Sequence, residues 1–187
     1  MSALDQVGAS SELPVRRLPE QAAVPRGQRD GVLPISIRTA TGTGRTELSA
    51  WDDALWHAGV ANFNLIRLSS VIPRQSRISF TSEPLAGEHG DQLYCVYAST
   101  LAAEPGDIAW AGIGWTRDED GRGLFVEHSA TSEKALSELI HLSLEDMIER
   151  RGGYGVIDSV VVSAQNTGLP ACALAIATYQ VSGWELS

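Results

Sequence analysis

The stretch "NFNLIRLSSVIP", residues 62–73, has the apolar content of a β-strand but carries several polar side chains. Its apolar residues and its final proline predict one strand that ends there. Ser69 and Ser70 lie at the centre of that strand, where hydroxyl groups fill no core volume and need hydrogen-bond partners. Asn62 and Asn64 lie just upstream, although asparagine is depleted from strands. Packing alone therefore does not explain this strand.

Outward from this stretch, the chain is typical of an α+β protein in which helices lie outside a sheet. Apolar runs bounded by Gly, Pro and polar residues predict the other strands, and "DEDG", residues 118–121, predicts a hairpin turn. Residues 39–44 are interpreted as a turn and residues 74–90 as a long loop. Two amphipathic segments predict helices. The predicted strands are residues 31–38, 62–73, 92–100, 108–116, 123–130, 155–164 and 171–181, and the predicted helices are residues 46–59 and 131–153.

Composition and charge restrict the function classes. The chain has 187 residues and a formal net charge of −9, which argues against nucleic acid and against anionic membrane surfaces as partners. No apolar run approaches the ~20 residues of a membrane span, and the N-terminus lacks the apolar core of a signal peptide. Cys95 and Cys172 lie in apolar segments and predict buried free thiols in a cytoplasmic protein. No histidine or cysteine pair has ligand spacing, so we expect no metal site.

The domain organisation divides the chain near residue 30. Residues 1–30 combine scattered prolines with charges of both signs and show no periodicity, so we interpret them as a disordered arm. Residues 31–187 are interpreted as a single folded domain.

Two carboxylates are candidates for chemistry. Glu127 follows an apolar strand, where desolvation would raise its pKa and suit it to proton donation; the alternative is an outward-facing surface glutamate. Asp52 lies three residues after Ser49 in the first predicted helix, and is interpreted first as a capping carboxylate with Ser49 as the cap. Asp53 points elsewhere on that helix and serves as its comparison.

The serine pair offers one special reaction. A serine hydroxyl can attack the carbonyl carbon of the residue before it, which converts the amide to an ester. Elimination and hydrolysis then leave a pyruvoyl group at the new N-terminus. Strain at the peptide and a donor that polarises its carbonyl are needed, and an asparagine nearby is a suitable donor.

These residues also carry a resemblance to a known family. The segment "TELSAWDDALWHAGVANFNLIRLSSVIP", residues 46–73, resembles the self-processing segment of pyruvoyl-dependent arginine decarboxylases. The similarity continues more weakly through "GLFVEHSATSEKALSEL", residues 123–139, and covers roughly residues 33–180. It implies a sandwich of central β-layers flanked by helices. It also implies homotrimers, or dimers of trimers, with active sites between subunits.

The resemblance also implies the role of each site residue. Self-cleavage between Ser69 and Ser70 would give chains 1–69 and 70–187, with Ser70 becoming the covalent pyruvoyl cofactor and Ser69 the new C-terminus. Asn64 would assist processing. Asp52 would bind the guanidinium of the arginine substrate, and Glu127 would protonate the decarboxylated carbon to give agmatine.

Two alternatives stay open from the residues. One is a decarboxylase of lysine, ornithine or histidine, and the other is an uncleaved, non-catalytic oligomeric scaffold. In one extended strand, Asn64 and Ser70 would lie about 20 Å apart at ~3.3 Å per residue. A shared site would therefore need a sharp bend or a second subunit.

Overall fold

The computed structural model describes residues 31–184. Two β-sheets pack face to face, and one helix covers the outer face of each sheet. The predicted α+β sandwich with flanking helices is therefore confirmed. The arm predicted for residues 1–30 lies outside the described residues.

The elements follow one another in the order strand, helix, six strands, helix and two strands. In chain order they are β1 (Leu33–Thr43), α1 (Glu47–His57), β2 (Asn64–Arg67), β3 (Val71–Ile72), β4 (Ser76–Phe80), β5 (Gln92–Ala102), β6 (Ile108–Arg117), β7 (Gly123–Ala130), α2 (Glu133–Arg151), β8 (Ile157–Gln165) and β9 (Ala171–Ser182). The first sheet has the order β2-β5-β9-β1-β4 and the second the order β3-β7-β6-β8.

Side-chain alternation along β9 explains the layers. Leu174 and Ile176 face α1, whereas Ala175 and Ala177 face the second sheet, so this central strand is apolar on both sides. Between the sheets, Phe125 makes edge-on contacts with the rings of Trp115 and Tyr179. Helix α2 covers the other face of the second sheet with Leu136, Ile140 and Leu144.

Strand β1 continues to Thr43 and so covers residues 39–43, where a turn over 39–44 was predicted, so that prediction is wrong. The reason is the close approach of α1. A Cβ atom at Gly42 would lie 2.1 Å from the backbone nitrogen of Ala54. Glycine therefore serves helix–strand packing here rather than chain reversal.

Further local predictions need correction. The predicted loop over residues 74–90 contains the edge strand β4, which pairs in parallel with β1. Helix α1 is capped by Thr46, whose side chain accepts a hydrogen bond from the Ser49 backbone N–H, while the Ser49 side chain accepts one from the Thr46 backbone N–H. Neither Ser49 nor Asp52 is therefore the cap. The apolar spacing of the second predicted helix places Leu139 in its buried stripe, yet Leu139 is 41% exposed and lies outside it.

Other predictions are confirmed. Helix α2, predicted over residues 131–153, spans Glu133–Arg151, with Ser132 as its N-cap and Gly152, at a φ of +69°, as its C-cap. The turn at residues 118–121 joins β6 to β7. Cys95 and Cys172 are buried free thiols, and burial raises their pKa values to about 12 and about 11. Neither helix within residues 31–184 has both the length and the apolarity that crossing a membrane requires.

Candidate active site

The serine pair lies where the chain leaves one sheet and enters the other. Strand β2 pairs in parallel with β5, and this pairing ends when the Leu68 backbone N–H donates to Cys95 O at 2.9 Å. Two residues later, the Phe125 backbone N–H donates to Ser70 O at 2.8 Å, and β3 then pairs with β7. The single strand predicted for residues 62–73 is therefore wrong. It consists of two short strands in different sheets, with the serines at the crossing.

Ser70 has a backbone conformation that is unusual for a residue with a side chain. Its φ is +67°, in the left-handed region that glycine occupies without steric cost. Such strained residues persist only where the surroundings fix them. Here the pairing of Ser70 O with β7 and the sheet crossing fix the residue, and its Oγ donates to Glu127 Oε2 at 2.9 Å.

Glu127 lies on the inner face of β7, on the same side of the strand as Phe125. Its side chain is 9% exposed, so the alternative of a surface glutamate is wrong. Burial raises the pKa of this carboxyl, while the hydroxyl of Ser70 and the guanidinium of Arg67 act in the opposite direction. Its Oε1 is buried without a hydrogen-bond partner among the described residues. A carboxylic acid poised for proton transfer has this environment.

A cavity of about 300 Å³ opens beside the crossing, along β7 from Leu124 to His128. Both serines and Glu127 line it, together with Met147 and Arg151 of α2. A larger surface depression of about 510 Å³ lies between the turn at residues 118–122 and the end of α2. That depression is lined mainly by charged surface residues and contains neither serine nor Glu127, so the candidate residues belong to the smaller cavity.

His128 points away from Glu127, as alternation along a strand requires. Its Nε2 lies 2.8 Å from Ser143 Oγ of α2, which joins β7 to the outer helix. Burial lowers the pKa of His128 and favours the neutral ring. No local pattern in the sequence predicted this contact, because it joins residues on two separate elements.

Arg67 is a second residue that the sequence reasoning did not assign to the site. Its Nη2 lies 3.9 Å from Glu127 Oε2 and donates to Tyr97 O at 3.0 Å. Its guanidinium carbon lies 4.9 Å from the centre of the Tyr97 ring. Its place directly before "LSS" was the available signal, but its partners come from β5 and β7.

The other two predicted site residues lie apart from this cavity in the single chain. Asn64 begins β2 and its amide donates to Gly90 O at 2.6 Å. Asp52 is exposed on α1, which packs on the outer face of the five-stranded sheet. Its neighbour Asp53 has a local task, since Oδ2 accepts from the Thr43 backbone N–H at 2.8 Å. The structure thus joins Ser69, Ser70 and Glu127, and leaves Asn64 and Asp52 elsewhere.

The comparisons with known proteins agree on one family. A family profile described as pyruvoyl-dependent arginine decarboxylase matches residues 35–182. A protein of that name from Halobacterium salinarum is 35% identical over 150 residues, which is 78% of this chain and 92% of the relative. One from Thermococcus kodakarensis is 36% identical over 75% of this chain and 90% of its own length, and one from Methanothermobacter thermautotrophicus is 30% identical over 78% and 93%. This chain therefore belongs to the pyruvoyl-dependent arginine decarboxylase family.

Proposed function

We propose that this protein decarboxylates L-arginine to agmatine and CO₂ with a pyruvoyl group formed from its own Ser70. One observation carries the proposal: the Ser70 hydroxyl, held at a strained sheet crossing, donates to the buried carboxylate of Glu127. The names of the relatives supply the substrate and the cofactor. This activity is that of a carboxy-lyase.

Formation of the group requires self-cleavage between Ser69 and Ser70. The Ser70 Oγ attacks the Ser69 carbonyl carbon while Glu127 accepts its proton, and the C–N bond breaks as the ester forms. Elimination breaks the Ser70 Cβ–Oγ bond, and the Oγ leaves in the new carboxylate of Ser69. Uptake of one water and loss of one ammonia leave the ketone on residue 70. The products are chains 1–69 and 70–187.

The residues around Ser70 fit such a group. The ketone would replace a hydroxyl in a cavity that opens to solvent, beside a buried carboxylate oxygen that has no partner among residues 31–184. When formed, the pyruvoyl group supplies an electron sink for the electrons released by loss of CO₂. Glu127, whose pKa burial raises, donates a proton to the α-carbon of the substrate.

Asp52 is the proposed partner of the guanidinium, and it requires a second copy of the chain. Leu48 and Trp56 are 73% and 66% exposed, and they flank Asp52 at four-residue spacing on one face of α1. We infer that this face covers the Ser70 cavity of a neighbouring subunit in a homotrimer or a dimer of trimers. The exposed apolar side chains and the separation of Asp52 from Glu127 support that assembly.

Asn64 is proposed to assist processing from a neighbouring copy as well. Along β2, Asn64 lies about 10 Å from Arg67 at ~3.3 Å per residue. The crossing to the second sheet then carries the chain about 10 Å further, in another direction, before it reaches Ser70. Its own amide is engaged with Gly90, on the far side of β2 from the serines. A donor from another subunit removes this geometric conflict.

Mixed oligomers test the shared site. Asp52→Ala and Glu127→Gln chains should each be nearly inactive alone, whereas co-expressed chains should recover activity. If each site takes one residue from each of two neighbours, roughly a quarter of the sites are complete after random equal mixing. The assay is CO₂ release per processed chain, with subunit number from light scattering. Failure of the mixture to exceed the better single variant would contradict the shared site.

Substrate choice tests the role of Asp52. A carboxylate can accept two parallel hydrogen bonds from a guanidinium, whereas lysine and ornithine present a point charge. We expect arginine to exceed lysine by at least about tenfold in kcat/KM, and Asp52→Ala to remove most of that preference. The measurement compares CO₂ release from arginine, lysine, ornithine and histidine.

The matched control for Asp52 is Asp53→Asn, which keeps an oxygen acceptor for the Thr43 backbone N–H. The ranking of substrates should not change in this variant. A higher kcat/KM for lysine, ornithine or histidine would assign the protein to a different amino acid. Control of the ranking by Asp53 would remove Asp52 from the guanidinium site.

The proposed location of the protein is the cytoplasm. Cys95 and Cys172 are free and buried in the described residues, and reduced thiols are typical of that compartment. The proposed substrate, a free amino acid, is compatible with the same location.

A further inference from the structure

Arg67 is held by the five-stranded sheet rather than by the carboxylate it faces. Its Nη2 donates to Tyr97 O at 3.0 Å, and its guanidinium lies over the Tyr97 ring at 4.9 Å from the centroid. Both contacts come from β5, next to β2 in the sheet. Because a guanidinium that stacks on a ring and bonds a carbonyl loses little further freedom, Arg67 presents a fixed positive charge towards β7.

This fixed charge reaches Glu127 from the opposite sheet. Arg67 Nη2 lies 3.9 Å from Glu127 Oε2, whereas the Ser70 hydroxyl donates to the same oxygen at 2.9 Å. The first distance is too long for a hydrogen bond, so the contact in the uncut chain is electrostatic. The serine hydroxyl is the hydrogen-bond donor to Glu127 before cleavage.

Self-cleavage removes that donor. The Ser70 Oγ departs in the carboxylate of Ser69, and a ketone, which cannot donate, remains at residue 70. Among the described residues, the ion pair with Arg67 is then the charged contact that remains for the Glu127 carboxylate. We propose that Arg67 is a positioning residue that holds the Glu127 carboxyl in the mature enzyme and sets the pH range in which Glu127 can donate a proton. This inference rests on the proposed function.

The other groups around Glu127 do not compete for this task. Tyr179 of β9 faces Glu127, and Cys95 of β5 lies near Arg67. Burial raises the pKa values of both, with a further contribution from Glu127 in the case of Tyr179, so both stay neutral at physiological pH. His128 turns its ring to Ser143 of α2, and Arg151 lines the outer part of the cavity.

The first experiment needs no activity. In uncut Ser70→Ala protein, the hydroxyl is absent and the chain is whole, which reproduces the loss of the donor. The titration of Glu127 is followed by ¹³C NMR of labelled glutamate carboxyls and assigned with Glu127→Gln. Adding Arg67→Met to the Ser70→Ala protein should move the midpoint of the Glu127 titration to higher pH by about half a unit or more, because removal of a nearby cation disfavours the carboxylate.

The controls separate the loss of the Arg67 charge from a general effect of replacing an arginine. Arg77→Met removes an exposed arginine from β4, at the opposite edge of the same sheet, and should leave the midpoint unchanged. If Arg67→Met does not fold, Arg67→Gln retains a donor for the Tyr97 carbonyl without the charge, and its midpoint should rise in the same way. Equal midpoints with and without the Arg67 cation overturn the inference.

The second experiment uses the processed enzyme. The alkaline limb of the pH profile of kcat should move to higher pH in Arg67→Met and return towards the wild-type position in Arg67→Lys. A profile of active Arg67→Met that superimposes on wild type overturns the inference. If wild-type protein does not decarboxylate arginine, the proposed function fails, and the NMR titration still decides the role of Arg67.

Discussion

Replacement of Ser70 by alanine is expected to leave one uncut chain with no decarboxylase activity, whereas the wild-type protein separates into chains 1–69 and 70–187 under denaturing conditions. The reason is chemical, since alanine lacks the oxygen that attacks the Ser69 carbonyl carbon. Intact-mass spectrometry and a denaturing gel measure the result. Fragment 70–187 should be lighter by one ammonia than the product of simple hydrolysis, which distinguishes the pyruvoyl end from a proteolytic cut.

The matched control is Ser69→Ala. Ser69 contributes its carbonyl carbon to the reaction, and its exposed side chain makes no bond that the reaction uses. Cleavage should therefore persist in this variant. A wild-type chain that stays whole, or a Ser70→Ala chain that is cut at the same bond, would contradict the mechanism and favour the uncleaved scaffold.

The second large effect is expected for Glu127→Gln. Glutamine cannot donate a carboxylic proton, so turnover per processed chain should fall by about 10²–10⁴-fold. Processing should also slow, because Glu127 accepts the Ser70 hydrogen bond and is the proposed acceptor of that proton during cleavage. Mass spectrometry gives the processed fraction and CO₂ release gives the turnover, so the two effects are measured separately.

The control for Glu127 is Glu138→Gln, which removes an exposed carboxylate whose contact is Lys134 on the surface of α2. Neither processing nor turnover should change. Wild-type turnover should extend above the titration range of an ordinary glutamate, because burial raises the pKa of Glu127 and keeps the donor protonated there. Full turnover by a cleaved Glu127→Gln protein would remove this residue from the chemistry.

Sequence patterns predicted the elements whose signals are local. Helix α2 has a regular apolar spacing, and the β6–β7 hairpin has its turn residues. The desolvated environment of Glu127 was one of two alternatives that its place after an apolar strand left open, and its burial decides between them. Each of these inferences depends on neighbours in the sequence.

The site features that the sequence did not predict depend on pairing between distant segments. Alternation of apolar residues over 62–73 is the same for one strand as for two strands in different sheets, so it did not indicate the crossing at Ser70. Arg67 contacts Tyr97 and Glu127, which lie 30 and 60 residues further along the chain. The exposure of Asp52 likewise depends on where α1 packs.

The place of the serine crossing in the fold has a consequence for how the cleaved protein stays together. The cut would separate β1, α1 and β2 from the remainder of the chain, yet β1 is hydrogen-bonded between β9 and β4, and α1 rests on β9. The two polypeptides would thus be interleaved and could not part without dismantling the central sheet. Folding of the precursor is unimolecular, whereas reassembly after denaturation would become a second-order encounter of two incomplete chains. Maturation would in this way produce a group that the genetic code does not encode, and would make unfolding of the protein harder to reverse.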